Sequence, residues 1–180
     1  MKVLQTTVFA ALVLAFCGNV SEAGRVTVKG VHLCCGACVS AAQETLGDVK
    51  GISKPAADRN SKTVSFTATD DKAAQNAINA LAKAGFHGSA THGKKKISFP
   101  ASGAKKGEKA NKITLTGIHL CCGACVTGAQ KALQVVKGAA TIEFDRKLKV
   151  ARIIGKDIDV TAAVAALNKG GFHGTLKRDK

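Results

Sequence analysis

The sequence predicts an α+β protein made of two copies of one small domain, and three observations carry that prediction. First, His32-Leu33-Cys34-Cys35-Gly36-Ala37-Cys38-Val39 recurs without a change as His119-Leu120-Cys121-Cys122-Gly123-Ala124-Cys125-Val126. Second, Gly85-Phe86-His87-Gly88 returns as Gly171-Phe172-His173-Gly174. The cysteines are offset by 122 − 35 = 87 and the histidines by 173 − 87 = 86, so one residue is gained or lost between them, in the turn near residues 60–71. Third, strand-like and helix-like periodicities follow one another in the same order in both copies. Repeats of this length are whole domains, since solenoid units are shorter.

The chain begins with a predicted signal peptide, residues 1–23. Lys2 supplies the positive start, Val8 to Phe16 is almost wholly apolar, and Ser21-Glu22-Ala23 places small residues at the −3 and −1 positions of a cleavage site. The apolar run is short for a bilayer span, so no stable membrane insertion is expected. Leu14-Ala15-Phe16-Cys17-Gly18 faintly resembles a lipoprotein box but carries Phe16 where a small residue is usual. The expectation is an exported protein, periplasmic or secreted.

The first domain is predicted over residues 24–100 and the second over 112–180. Arg25 to Val31 and Lys112 to Ile118 alternate apolar and polar residues as half-buried strands do. Val39, Ala42, Leu46 and Val49 then recur at helical spacing, matched by Val126, Ala129, Leu133 and Val136. Thr141 to Phe144 alternates as a strand, and its counterpart carries Pro55, which places that strand at a sheet edge. Val64, Phe66 and Ala68 mark a third strand. A second helix follows through Ala74, Ala77, Ile78 and Leu81, mirrored by Val160, Ala163, Val164 and Leu167. Asp70 and Asp157 are expected at the starts of these helices, where carboxylates suit the dipole. With a short last strand, around residues 97–99 in the first copy, the order is the ferredoxin-like βαββαβ. Residues 101–111 read as a basic linker rich in Gly and Lys.

Six of the seven cysteines lie in the two C-C-x-x-C clusters. Packing alone rarely demands three cysteines within five positions, whereas soft thiolates at that spacing converge on Cu(I), Zn(II) or Hg(II). An exported protein ordinarily pairs its cysteines. Three per repeat cannot all pair within a domain, and adjacent Cys34 and Cys35 would bond only with strain. Cys35 would lie on the loop and Cys38 in the first helical turn, where unpaired amides and the helix dipole favour thiolate.

On these motifs the chain resembles the heavy-metal-associated domain family, which includes copper chaperones, mercury-binding periplasmic proteins and modules of copper-pumping ATPases. The resemblance covers most of both repeats. It implies metal ligands at Cys35, Cys38, Cys122 and Cys125, with Cu(I) as the foremost ion and one ion per repeat. The family's aromatic near the metal falls on Phe86 and Phe172. It also implies a metal-transporting ATPase or another metal-binding protein as partner. Three departures stand out. Gly30 and Gly117 lie two residues farther upstream than the family glycine, Leu33 and Leu120 replace Met, and Cys34, Cys121, His87 and His173 add donors as further candidate ligands. His32 and His119, at strand ends, are positions where a histidine is ordinarily just solvated.

The net charge of +15, from 27 Lys+Arg against 12 Asp+Glu, invites a nucleic-acid reading. Trp and Tyr are absent, so the stacking platforms that such binding needs are missing and no nucleic-acid partner is expected. Nor is an enzyme: no nucleophile–base pair is repeated, and small domains leave little room for a pocket of about 300 Å³ or more. The alternative function is a periplasmic thiol–disulfide redox protein using the same cysteines. Against it, no tryptophan precedes the motif and no proline follows Pro100. The thioredoxin-like family's cis-proline therefore has no counterpart in the second repeat.

Overall fold

The computed structural model describes residues 23–178. Of the predicted signal peptide only Ala23 is among them; residues 1–22, Cys17 included, lie outside the described residues. The first unit runs β1 (Gly24–Lys29), α1 (Gly36–Gly47), β2 (Ile52–Asp58), β3 (Thr63–Ala68), α2 (Asp71–Lys83), β4 (Ser89–His92) and β5 (Lys95–Ile97). The second runs β6 (Lys109–Thr116), α3 (Gly123–Leu133), β7 (Ala139–Asp145), β8 (Val150–Asp159), α4 (Val160–Lys169) and β9 (Thr175–Leu176). Their strand orders are β2-β3-β1-β4-β5 and β7-β8-β6-β9, with every pairing antiparallel. Two antiparallel sheets and four helices make a mixed α+β architecture that fits the ferredoxin-like arrangement.

Local chemistry explains the elements. Val26, Val28, Val64, Phe66 and Ala68 alternate onto one sheet face and are buried there against Ala74, Ala77, Ile78 and Leu81 of α2. The strand that carries Pro55 is at the sheet edge, and its ladder with β3 slips between Ser53 and Ala56. Lys54, with φ of 52°, occupies that bulge. Asp70 caps α2 by accepting from the Ala73 N–H.

Four features differ from the sequence expectation. The cap of α4 is Asp159, which accepts from the Ala162 N–H, and Asp157 instead lies in β8 with φ of 50°. The reason is a longer ladder: Lys109 pairs with Asp159 and Ala110 with Ile158, so residues that make the first turn in α2 are strand in the second unit. The offset is still 87 at Phe66 and Ile153, but 86 at Ala77 and Ala163, which puts the lost residue at this junction. Second, the buried seam of α1 is Cys38, Ala42 and Leu46, one residue earlier than a seam begun at Val39. Spacing i, i+4, i+8 also lies on one helix face, and Cys125, Ala129 and Leu133 repeat it in α3.

Third, the last strand of the first unit is β4, residues 89–92, with β5 folded back on it, where residues 97–99 were expected to supply it. Fourth, β6 takes up residues 109–111, which the sequence assigns to the linker. The remaining connection lies against the second unit. Ser102 is buried and its carbonyl accepts from the Leu176 N–H at 2.9 Å, while Glu108 accepts two bonds from Arg178.

Among the described residues no helix is long and apolar enough to cross a membrane.

Candidate metal centre

Each thiol motif sits between a left-handed glycine and a helix N-terminus. Gly30 (φ 79°) and Gly117 (φ 75°) turn the chain out of β1 and β6, a conformation that side chains disfavour. Val31 N–H donates to the Lys62 carbonyl at 3.0 Å and Ile118 N–H to that of Lys149 at 3.1 Å, which holds both loops extended. Along such a loop successive side chains point to opposite sides. Val31 and Leu33 therefore fill their own core, while His32 and Cys34 face the other unit. Ile118, Leu120, His119 and Cys121 repeat this division. Cys35 and Cys122 are the N-caps of α1 and α3, with φ near −150°, and neither side chain makes a capping bond.

The two units exchange these loops. Phe86 and Phe172 form an antiparallel bridge, in which His87 N–H donates to the Gly171 carbonyl at 3.1 Å and His173 N–H to that of Gly85 at 2.9 Å. His32 N–H also donates to the Gly171 carbonyl, at 3.2 Å. A Cβ at Gly85 would overlap the backbone of Gly117 to His119, and one at Gly171 the backbone of Gly30 to His32. Phe172 of the second unit stacks on His32 of the first, and Phe86 on His119, each with centroids 4.2 Å apart.

Two clusters that the sequence treats as separate thereby become one. Cys34 Sγ lies 3.5 Å from Cys122 Sγ and 3.4 Å from Cys125 Sγ; Cys38 Sγ lies 3.5 Å from Cys121 Sγ and 3.7 Å from Cys125 Sγ. Cys35 Sγ is 3.8 Å from Cys121 Sγ and 4.0 Å from Cys122 Sγ. Within each motif, Cys35 to Cys38 is 3.6 Å and Cys122 to Cys125 is 3.7 Å. All six are free thiols; Cys38 and Cys125 are fully buried and the other four partly so. Three donor groups converge: Cys38, His119, Cys121 and Cys125; His32, Cys34 and Cys125; and Cys34, Cys35 and Cys122. Each takes ligands from both units. The adjacent cysteines, Cys34 and Cys121, thus join the cluster alongside Cys35, Cys38, Cys122 and Cys125.

The thiols are electrostatically unequal. The Cys125 backbone N–H beside Cys122 holds that thiol down to about 6. Burial pushes Cys121 up to about 12 and raises Cys34 also. The Cys125 thiol lowers Cys38 by hydrogen bonding to it and is itself raised by the same contact. Burial lowers His32, which favours the neutral, ligating form of its imidazole. His32 Nε2 and His119 Nε2 are buried with no hydrogen-bond partner in the protein. An open cleft of 460 Å³ beside Cys121 has a basic rim of Arg146, Lys147 and Lys149.

His87 and His173 lie together elsewhere. Their rings are parallel within 3° at 5.9 Å, and Phe99 packs on His87 at 4.5 Å; neither belongs to a convergent donor group among the described residues. In place of the GFHG histidines, the structure brings His32 and His119 to the thiols. Their signal was present in the sequence, because they stand two residues before the first cysteine in both copies.

Such a collection of soft donors, convergent and unpaired, suits a soft metal. No protein-family model matches the chain, and no curated protein does. Among solved structures it is similar to heavy-metal-associated domains. The apo HMA domain of a copper chaperone for superoxide dismutase shares 18% identity over 46% of this chain and 83% of that one, with a TM-score of 0.35. The N-terminal soluble domains of Bacillus subtilis CopA share 19% identity over 87% of this chain and 95% of that one, with a TM-score of 0.31. At these values the thiol geometry, and not the likeness, carries the functional reading.

Proposed function

We propose that this is an exported protein that binds a soft metal, Cu(I) foremost, and buffers it or hands it over. The observation that supports the reading is the convergence of six free thiols, drawn equally from two identical motifs and spaced 3.4–4.0 Å from their cross-unit neighbours. Thiolates are soft donors that suit Cu(I) and are a poor match for hard cations, which prefer oxygen. The helix N-termini and the basic rim offset the negative charge that deprotonation creates. That rim, lined by Arg146, Lys147 and Lys149, suits an acidic partner surface, such as another metal-binding protein or a metal-transporting ATPase. Binding, rather than catalysis, is the proposed role.

Anaerobic titration of the reduced protein with Cu(I), followed by intact mass spectrometry, tests it. Metal should load before any other measured change and protect the thiols from alkylation. A protein that fails to retain Cu(I) or Zn(II), yet exchanges disulfides with a dithiol substrate at catalytic rates, is the thiol–disulfide redox protein instead.

A further inference from the structure

The geometry points to a single binuclear centre at the junction of the two repeats, with Cys125 as the bridging thiolate and His32 and His119 as terminal ligands. This assignment rests on the soft-metal reading above but differs from one ion per C-x-x-C pair. A metal–thiolate bond is about 2.3 Å. A linear S–metal–S unit then needs sulfurs about 4.6 Å apart, and a tetrahedral one about 3.8 Å. Cys35 to Cys38 and Cys122 to Cys125, at 3.6 and 3.7 Å, match the tetrahedral spacing, and so do the distances across the units.

One half of the centre is Cys38, Cys121, Cys125 and His119, whose sulfurs are 3.5, 3.7 and 3.5 Å apart. The other is Cys34, Cys125 and His32, with Cys34 3.4 Å from Cys125 and 3.5 Å from Cys38. The halves share Cys125, and Cys38 belongs to the half that holds His119. Cys125 is fully buried in the first turn of α3 and meets ligands from the other repeat in both halves. Without it neither half is complete.

The histidines supply an independent indication. His119 is 8% exposed, its Nε2 has no hydrogen-bond partner, and that residue converges with the three sulfurs of its group. His32 Nε2 is buried and unpartnered too. A buried imidazole nitrogen left without a partner carries a desolvation cost that a metal ion would offset. Phe172 and Phe86, stacked on the two rings, fix their planes as an outer shell does for a ligating histidine. Cys35 and Cys122, at the partly exposed helix caps, stand outside both halves, beside Cys34, where an arriving ion would first be held.

Loading two Cu(I) ions releases to solvent the protons that Cys34, Cys38, Cys121 and Cys125 still hold. Four thiolates then ligate the ions, no atom changes oxidation state, and the centre keeps two negative charges.

Cu(I) titration of the full chain under anaerobic conditions, followed by native mass spectrometry and X-ray absorption at the copper edge, tests the assignment. Apo and two-copper species should dominate with little of the one-copper form. The absorption data should show mixed nitrogen and sulfur ligands and a short copper–copper vector. His119→Gln should remove part of the nitrogen signal and weaken both ions at least tenfold, and Cys125→Ser should abolish both together. Two independent ions with an all-sulfur shell, a plateau at another count, or a Cys125→Ser protein that keeps one ion unchanged would overturn the binuclear centre and leave the soft-metal reading standing. A wild-type chain that binds no Cu(I) would overturn both. The spectra of the unaltered protein decide the matter even if Cys125→Ser fails to fold.

Discussion

Phe172 lies flat on His32, with the ring planes 26° apart and the centroids at 4.2 Å, although 140 residues of chain separate them. The mirror contact, Phe86 on His119, has the same spacing. Each repeat thus supplies the aromatic wall for the other's histidine.

Removing that wall should cost stability and ligand order together. Phe172 is almost fully buried, so Phe172→Ala should destabilise the protein by about 3–5 kcal/mol. A double-mutant cycle with His32→Ala in chemical denaturation should return a coupling of about 0.5–1.5 kcal/mol for the stack. Additive single effects would mean that the rings merely lie near each other.

Gly85 and Gly30 make a controlled pair for the docking of the units. Both have φ near 80°, so alanine strains either one by about 1–2 kcal/mol. Only at Gly85 would the added Cβ also overlap the backbone of the other unit; at Gly30 it meets open space. Gly85→Ala should therefore lower the melting temperature further than Gly30→Ala. It should also enlarge the radius of gyration by small-angle scattering, which Gly30→Ala should leave alone.

Acid should loosen the metal-free protein before its carboxylates titrate. Burial and the neighbouring His173 push His87 down to about 4, and burial lowers His173 as well. In the unfolded chain these imidazoles titrate near 6.5. Above that value both states are neutral and stability is full. As pH falls from 6.5 toward 4 the unfolded chain takes up protons that the folded one refuses, and stability drops by at most about 1.4 kcal/mol per pH unit for each such proton. Urea unfolding of His87→Asn at pH 7.5 and pH 5 should show a smaller difference than wild type; equal differences would exclude His87 as a contributor.

The adjacent cysteine gives the sharpest sequence-level test. Cys34 touches both Cys122 and Cys125 across the junction, so Cys34→Ser should weaken Cu(I) binding at least tenfold and shift the metal–thiolate absorption band. Under a site made only of Cys35 and Cys38 the affinity would stay within a few-fold. Competition with a chromogenic Cu(I) chelator measures it.

Much of this architecture was legible because it depends on local pattern. Alternation marked the strands, Pro55 marked an edge, and two verbatim octapeptides marked the thiol loops. Asp159 was missed as a helix cap because the longer β6–β8 ladder, a pairing between distant segments, consumed the turn that Asp157 would have begun. The joining of the clusters was hidden for a similar reason. It depends on Gly85 and Gly171 admitting the backbone of the opposite loop, and a glycine in sequence does not announce what will approach it. His32 and His119 were in plain sight but read as ordinarily solvated until the loop alternation turned them toward the partner unit. Cys38, which the sequence places in the first helical turn as a candidate thiolate, is also core.

The covalent connection between the repeats makes the junction indifferent to dilution. Eleven residues separate β5 from β6, a tether whose unrestrained span is about 18 Å. A junction formed between two separate chains would dissolve once their concentration fell below its dissociation constant. Here the opposing loop remains at an effective concentration of about millimolar however few copies of the protein occupy the volume. A centre shared between repeats therefore keeps its affinity at the single-molecule limit, where a dimer of single repeats would lose it.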